Sequence, residues 1–234
     1  MNTAKDRLGA RTFFKNRVSR MKRPSFTSIY ILFSISVLLL GAFFLQRWDR
    51  ALAYLLSNKE EGDIVFQSLP HGPLVNAIEG ITHSEWSHCG ILLKRKGKWV
   101  VAESLLHVRY TPLFRWVARG REKKVAAFRL KTIELMDPEK LKSGLDVYID
   151  RPYDYRYAPE DNEIYCSELV WNVFNEQFEI QLGHWQKLGD LDYRDHELFI
   201  RKMEGGNLPL ERPMITPVGI TTSKQLKAVF PASR

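Results

Sequence analysis

Residues 87–104 read SHCGILLKRKGKWVVAES, and two apolar runs flanking a basic, glycine-bearing turn predict a β-hairpin. His88–Leu93 and Lys98–Glu103 are the strands, with Lys94–Gly97 between them. His88 begins one strand and Glu103 ends the other, so antiparallel pairing converts a separation of 15 residues into a contact. An imidazole beside a carboxylate is the arrangement of a general base held in orientation by its neighbour. Alternation along a strand then places Cys89 on the face opposite His88, which reads Cys89 as a small buried hydrophobe.

Working outward, the helix with the clearest pattern follows Cys166, where Leu169, Val170, Val173, Phe174 and Phe178 fall on one face. Cys166 therefore stands at or beside a helix N-terminus. There the helix dipole and first-turn N–H groups favour a thiolate, and the backbone N–H of Cys166 can face an oxyanion on an attacked carbonyl. A nucleophile at Cys166 with His88 as base is one reading of the two cysteines. The structural alternative is a Cys89–Cys166 disulfide, and in a regular strand the two exclude each other. Taken singly, Cys166 reads as a core residue, His88 as a structural histidine and Glu103 as a surface carboxylate; only the joint pattern points to chemistry.

The remaining pattern is mixed. Asp63–Gln67 and Val125–Leu130 read as strands, His107–Tyr110 as a further strand, and Pro73–Ile81 and Leu113–Ala118 as helices. Asp137-Pro138 is an N-cap and N1 pair for a helix carrying Leu141, Leu145, Tyr148 and Ile149, ended by Pro152. Residues 151–163 form a polar loop whose Tyr153, Tyr155 and Tyr157 line a pocket or pack on the sheet. Asp63 reads as a turn residue. From Gly183 onward the chain reads as irregular.

The net charge of +8 is uneven. Residues 1–24 hold eight Lys and Arg against Asp6 alone, so seven of the eight net charges lie there. The nearly neutral remainder lacks the field that a nucleic-acid-binding face requires. Pro24–Gln46 contains no charged side chain, and Ser25–Leu45 as a helix would span roughly 30 Å, the thickness of a bilayer core. Tyr30 and Trp48 sit near its ends as interfacial anchors do, and the preceding cations predict a cytoplasmic N-terminus with the rest of the chain across the membrane. A cleaved signal peptide ending at Ala51-Leu52-Ala53 is the alternative, disfavoured by the long apolar run and by Arg47, Asp49 and Arg50. The organisation expected is a basic cytoplasmic tail (1–24), a transmembrane helix (25–46), an amphipathic continuation or linker (47–60), a catalytic domain (61–215) and a tail (216–234). His71, His83, His107, His184 and His196 show no metal-ligand spacing, so neither metal nor cofactor is expected.

Several stretches taken in order carry a resemblance: Gly62–Phe66, Thr82-His83-Ser84, Ser87–Ile91, Val101–Ser104, Tyr110–Leu113, Pro152-Tyr153-Asp154 and Ile164–Trp171. Over roughly residues 60–215 the chain resembles the circularly permuted papain-like amidases of the NlpC superfamily, in the YiiX/YebB-like branch. The resemblance implies an α+β fold, a small antiparallel β-barrel or sheet packed on helices, with the order histidine, acid, cysteine. It implies Cys166 as nucleophile, His88 as base and Glu103 as third member, with Tyr165 lining the site or helping the oxyanion. The expected activity is hydrolysis of an amide, or of an ester or thioester, through an acyl-enzyme on Cys166 in the periplasm of a Gram-negative bacterium. The bilayer is the expected partner, with a cell-wall peptide, a lipid or a lipidated peptide as substrate. An acyltransferase of the lecithin-retinol type and a non-catalytic module holding an acyl chain or peptide in the same cleft are the rival readings.

Overall fold

A computed structural model describes residues 26–158 and 162–230. The basic segment 1–24 and residues 231–234 of the expected tail lie outside the described residues. The chain divides into two compact units, residues 1–43 and 44–234. The described part of the first is helical from Phe26, with exposed apolar side chains such as Ile31, Phe33 and Leu38. Helix α1 runs Phe26–Leu56 and so continues through most of the stretch read as a continuation or linker. Among the described residues no single helix is long and apolar enough to cross a membrane, whereas the bent pair Ile29–Phe43 and Trp48–Leu56 passes that test jointly.

The second unit is built on a six-stranded antiparallel sheet in the order β4-β3-β2-β1-β5-β8. Its strands are β1 (Ile64–Gln67), β2 (His88–Arg95), β3 (Lys98–Leu105), β4 (His107–Pro112), β5 (Ala126–Leu130) and β8 (Leu226–Phe230). The hairpin expected from residues 87–104 is β2–β3, closing Arg95 against Lys98. Lys96 and Gly97 both take positive φ, 50° and 73°, which is the two-residue turn whose twist matches paired strands.

The two faces of the sheet are covered differently. Cys89, Ile91, Leu93, Val100 and Ala102 face a core shared with α4 (Pro138–Asp146) and α5 (Cys166–Phe178). Val65, Leu92 and Val101 face a second core with Trp116 and Val117 of α3 (Leu113–Arg119) and with Ala51 and Tyr54 from the last turns of α1. Those two α1 residues are almost fully buried, so residues 51–54 are part of the folded unit. α2 (Pro73–Thr82) covers the end of the sheet where β2 begins.

Asp63 has a structural place, in line with its reading as a turn residue. Its carboxylate accepts from Arg129 Nε at 2.6 Å and Nη2 at 2.9 Å, and from the Glu60 N–H at 2.9 Å, fixing the start of β1 to β5. Two expectations need correction. α4 ends at Asp146, so Tyr148 and Ile149 reach the core from the turns that follow and not from the helix itself. The segment read as irregular contains α6 (Glu197–Met203), α7 (Pro217–Thr221) and a small ladder of β6 (Gln186–Lys187) and β7 (Pro213–Met214). Beyond residue 215, where a tail was expected, β8 pairs with β5 and completes the sheet. These elements are two to seven residues long with prolines between them, too short for periodicity to register.

Gly90 sets the spacing that the site requires. A Cβ there would stand 2.5 Å from Val101 Cγ1 and 2.6 Å from the Ala102 carbonyl oxygen, so only glycine lets β3 approach β2 this closely. We expect Gly90→Ala to lower stability by about 1–3 kcal/mol, the usual cost of an overpacked core position. A denaturant titration reads this as a lower midpoint, and an unchanged midpoint would show that β3 is not held against Gly90.

Candidate active site

The site is assembled at the open end of β2. His88 is the first residue of that strand and Glu103 lies one step beyond the last β2–β3 pair, Ile91 with Ala102. His88 Nε2 and Glu103 Oε2 are 2.6 Å apart, and both side chains are fully buried. A buried carboxylate requires compensation, and three further groups supply it. Thr111 Oγ1 donates to Glu103 Oε1 at 2.6 Å, while Arg119 Nη1 and Nη2 donate to Oε1 and Oε2 at 3.0 and 2.5 Å. Arg109 Nε stands 3.5 Å from Oε1. Burial alone would raise the Glu103 pKa, but the hydrogen bonds and charges of His88 and Arg119 hold it well below the ordinary carboxylate range.

Cys166 is the first residue of α5, with Tyr165 as N-cap. The helix start is pinned from several sides. The Glu168 carboxylate accepts from the Tyr165 N–H at 3.4 Å, Ser167 Oγ donates to the Ile215 carbonyl at 2.9 Å, and the Ile215 N–H donates to Tyr165 Oη at 3.0 Å. Ser104 Oγ, on β3, donates to the Ile164 carbonyl at 2.6 Å and ties the preceding turn to the hairpin. The Tyr165 hydroxyl is thus engaged with Ile215, and its ring packs against Tyr157 at 4.3 Å between centroids.

The structure brings His88, Glu103 and Cys166 together, by a route that strand alternation does not anticipate. His88 and Glu103 project on the α3 side of the sheet, where the imidazole lies 6.4 Å from the Trp116 ring. Cys166 belongs to the opposite side. His88 is the strand's first residue, and its imidazole reaches the Cys166 thiol closely enough to shift its titration. With Nε2 at Glu103, Nδ1 is the nitrogen left for the sulfur. Cys89, expected to face away, lies on the side of α5 and also hydrogen-bonds Cys166. The structure holds no Cys89–Cys166 disulfide, and the alternation that was expected to turn Cys89 away from Cys166 does not do so. Both cysteines are free thiols.

The electrostatics follow from these contacts. Burial pushes the His88 imidazole down, but hydrogen bonds to Cys166 and Glu103 outweigh it and lift the pKa to about 9. The hydrogen bond from Cys89 and those from His88 hold the Cys166 thiol well below its ordinary range against the effect of burial. Burial, with the Cys166 charge added to it, pushes the Cys89 thiol up. These directions favour a thiolate–imidazolium pair with a protonated second thiol. Arg119 offsets the Glu103 charge and leaves the imidazolium to the sulfur.

Of the loop expected over 151–163, residues 151–158 include side chains that line the space beside His88. Tyr153 is almost fully buried, its hydroxyl is 2.9 Å from that of Tyr157, and Asp154 braces the turn by accepting from the Arg156 N–H at 2.7 Å and from the Ala158 N–H. His88 lines a cavity of about 320 Å³ together with Ser87, Leu105, Leu106 and Tyr153. Beside it runs an apolar cleft of about 610 Å³, partly open to solvent, walled by Ile81, Tyr157, Phe199, Met203 and Met214. Leu74, Ile78 and Tyr155 border both spaces. Arg119 and Thr111 were not singled out from the sequence; a cation in the last turn of a short helix gives no sign of the carboxylate it will meet.

The family model that matches residues 58–230 is described as "Permuted papain-like amidase enzyme, YaeF/YiiX, C92 family". The chain is 32% identical over 173 residues to the uncharacterized protein YiiX of Escherichia coli K12, covering 73% of this chain and 85% of that protein. It is also similar to the crystal structure titled metalloprotein yiiX from Escherichia coli O157:H7, with a TM-score of 0.70, 31% identity, and coverage of 76% of this chain and 99% of that one. Among the described residues here, no group of three or more His, Cys, Asp or Glu side chains is placed to hold a metal ion.

The sign of the His88 shift gives a measurable outcome. Its folded pKa of about 9 exceeds the free value of 6.5, so its stabilisation is full below 6.5 and fades as pH rises through about 9. In an NMR titration we expect the His88 ring to titrate near 9, and Glu103→Gln, which removes the adjacent negative charge, to lower that midpoint by about one unit or more. An unmoved midpoint would mean that the carboxylate does not set the state of the imidazole.

Proposed function

The chain belongs to the permuted papain-like amidases of the C92 family and is a cysteine hydrolase by that membership, and from this premise we propose that it cleaves an amide bond through an acyl-thioester on Cys166. The observation that supports this reading is the buried hydrogen-bonded chain from Cys166 through His88 to Glu103 and Arg119. The thiolate attacks the carbonyl carbon, and the developing oxyanion is met by N–H groups at the start of α5, Cys166's own among them. One such donor contributes about 3–4 kcal/mol in comparable sites. His88 gives its proton to the leaving amine, and the acyl group remains on sulfur. The neutral imidazole then takes a proton from water, the hydroxide attacks the thioester, and the thiolate–imidazolium pair is restored. Glu103 keeps the ring in one tautomer and orientation throughout.

The cleft beside the site supports an acyl-bearing substrate, a lipid or lipidated peptide, over a bare cell-wall peptide, because its walls are almost entirely apolar. If an acceptor other than water reaches the thioester, the same intermediate gives acyl transfer. The apolar first half of α1 supports anchoring in the inner membrane with the catalytic unit in the periplasm.

Iodoacetamide at neutral pH should label Cys166 quickly in the native protein, and Cys166→Ala should lose at least ~10³-fold in turnover on any substrate found. Intact-mass analysis after exposure to membrane lipids and wall fragments should reveal an acyl adduct on Cys166. Full turnover by Cys166→Ala would end the enzymatic reading and favour a binding module. A reporter fused after residue 60 should be active only outside the cytoplasm; activity inside alone would reverse the orientation.

A further inference from the structure

The chain has two cysteines, and the mechanism above uses only one. The second, Cys89, sits on the central strand β2, fully buried on the sheet face that α5 covers, in the same core cluster as Cys166 at the start of that helix, and the two thiols influence each other's titration. Neither is in a disulfide. A buried thiol whose role is only to fill space does not need to be aimed at a nucleophilic sulfur; the neighbouring core positions Ile91 and Leu93 fill the same face with hydrocarbon.

We propose that Cys89 is a resolving thiol for Cys166, and that mild oxidation joins the two in a reversible disulfide that silences the nucleophile. The inference rests on the reading of Cys166 as a reactive thiolate. With hydrogen peroxide as oxidant, the Cys166 thiolate attacks one peroxide oxygen. An S–O bond forms, the O–O bond breaks, and the departing hydroxide takes the His88 proton to become water. The Cys89 sulfur then attacks the Cys166 sulfur of the sulfenic acid. An S–S bond forms, the S–O bond breaks, and hydroxide leaves with the Cys89 proton as a second water. Two thiols have lost two electrons and the peroxide has gained them.

Several features favour closure over further oxidation. The partner thiol is already in place, so no segment has to unfold, and both sulfurs hang from rigid elements, the central strand and the start of a 13-residue helix. The site admits a molecule as small as peroxide more readily than a bulky reductant, because Cys166 is fully buried and Tyr153 walls the cavity that His88 lines. The disulfide would also take the sulfur's electrons out of hydrogen-bonding with His88, so the enzyme is off until a dithiol reductant returns both protons. In an oxidising compartment this would protect Cys166 from the sulfinic state, which is not reversible by simple thiols.

The test is peroxide at one equivalent on the full-length reduced protein, read by intact mass and by non-reduced peptide mapping. We expect a loss of about 2 Da, a Cys89–Cys166 cross-linked peptide, loss of iodoacetamide labelling at Cys166, and return of labelling with dithiothreitol. Cys89→Ser keeps a donor beside Cys166 but cannot resolve; it should instead gain about 16 Da at one equivalent, and about 32 Da with labelling not restored once two or more equivalents are supplied. Wild-type protein that gains oxygen without cross-linking overturns the proposal, as does a disulfide formed between two chains. Should Cys89→Ser fail to fold, the wild-type map alone decides. Rapid alkylation of Cys166 with no disulfide sinks this inference and leaves the proposed chemistry standing; a Cys166 that neither alkylates nor oxidises sinks both.

Discussion

A carboxylate with none of its surface in water is the constraint around which this site is arranged. Glu103 has no bulk solvent to stabilise its charge, and removing a partner from such a buried ion typically costs about 3–5 kcal/mol. Its partners come from three directions: Arg119 from the end of α3, Thr111 from β4 and His88 from β2. Each of those elements is consequently held in register with the others. The turn from β4 into α3 has to place Arg119 over the sheet, and β3 has to lie close to β2 at Gly90. The charge count also matters. With Arg119 offsetting Glu103, the imidazolium is left with one uncompensated anion to pair with, the sulfur, and the pair is stable without water.

The C-terminal segment has a corresponding role on the opposite face. Ile215 engages the start of α5 through both of its backbone groups, accepting from Ser167 and donating to Tyr165. A helix N-terminus carries donors that no residue of the helix can satisfy, and here the flanking residues are fixed by a strand-like stretch far along the chain. The same segment, with α6, forms one wall of the apolar cleft whose other wall is α2. Positioning of the nucleophile and the shape of the adjoining space are therefore set together by residues 186–217.

What the sequence disclosed follows from the range of each signal. The hairpin is local, with alternating apolar residues, a glycine turn and a short loop, so the meeting of His88 with Glu103 could be read directly. The N-terminal place of Cys166 on α5 is equally local, because apolar spacing after it is sustained for over three turns. Arg119, Thr111 and Ile215 lack such a signal. They reach the site through tertiary packing, and nothing within a few residues of each distinguishes it from other surface cations, strand threonines or loop isoleucines. α4 was overextended for a related reason: Tyr148 and Ile149 are core residues, and apolar content alone does not distinguish a last helical turn from the bend that follows it.

The position of Cys89 shows where a sound rule reaches its limit. Period-two alternation assumes neighbours on both sides that hold each side chain to its face. His88 has a neighbouring strand on one side, Gln67 of β1, but β3 has parted from β2 by this point in the ladder. With no paired residue of β3 beside it, the imidazole is free to interact with a sulfur that belongs to the other face. Cys89, one residue further along β2, is held to its face and meets the same sulfur from below. A strand terminus is thus the one place on a sheet where adjacent residues can converge on a single atom. Two consecutive residues of β2 can therefore act on the Cys166 sulfur where mid-strand geometry would require two separate elements.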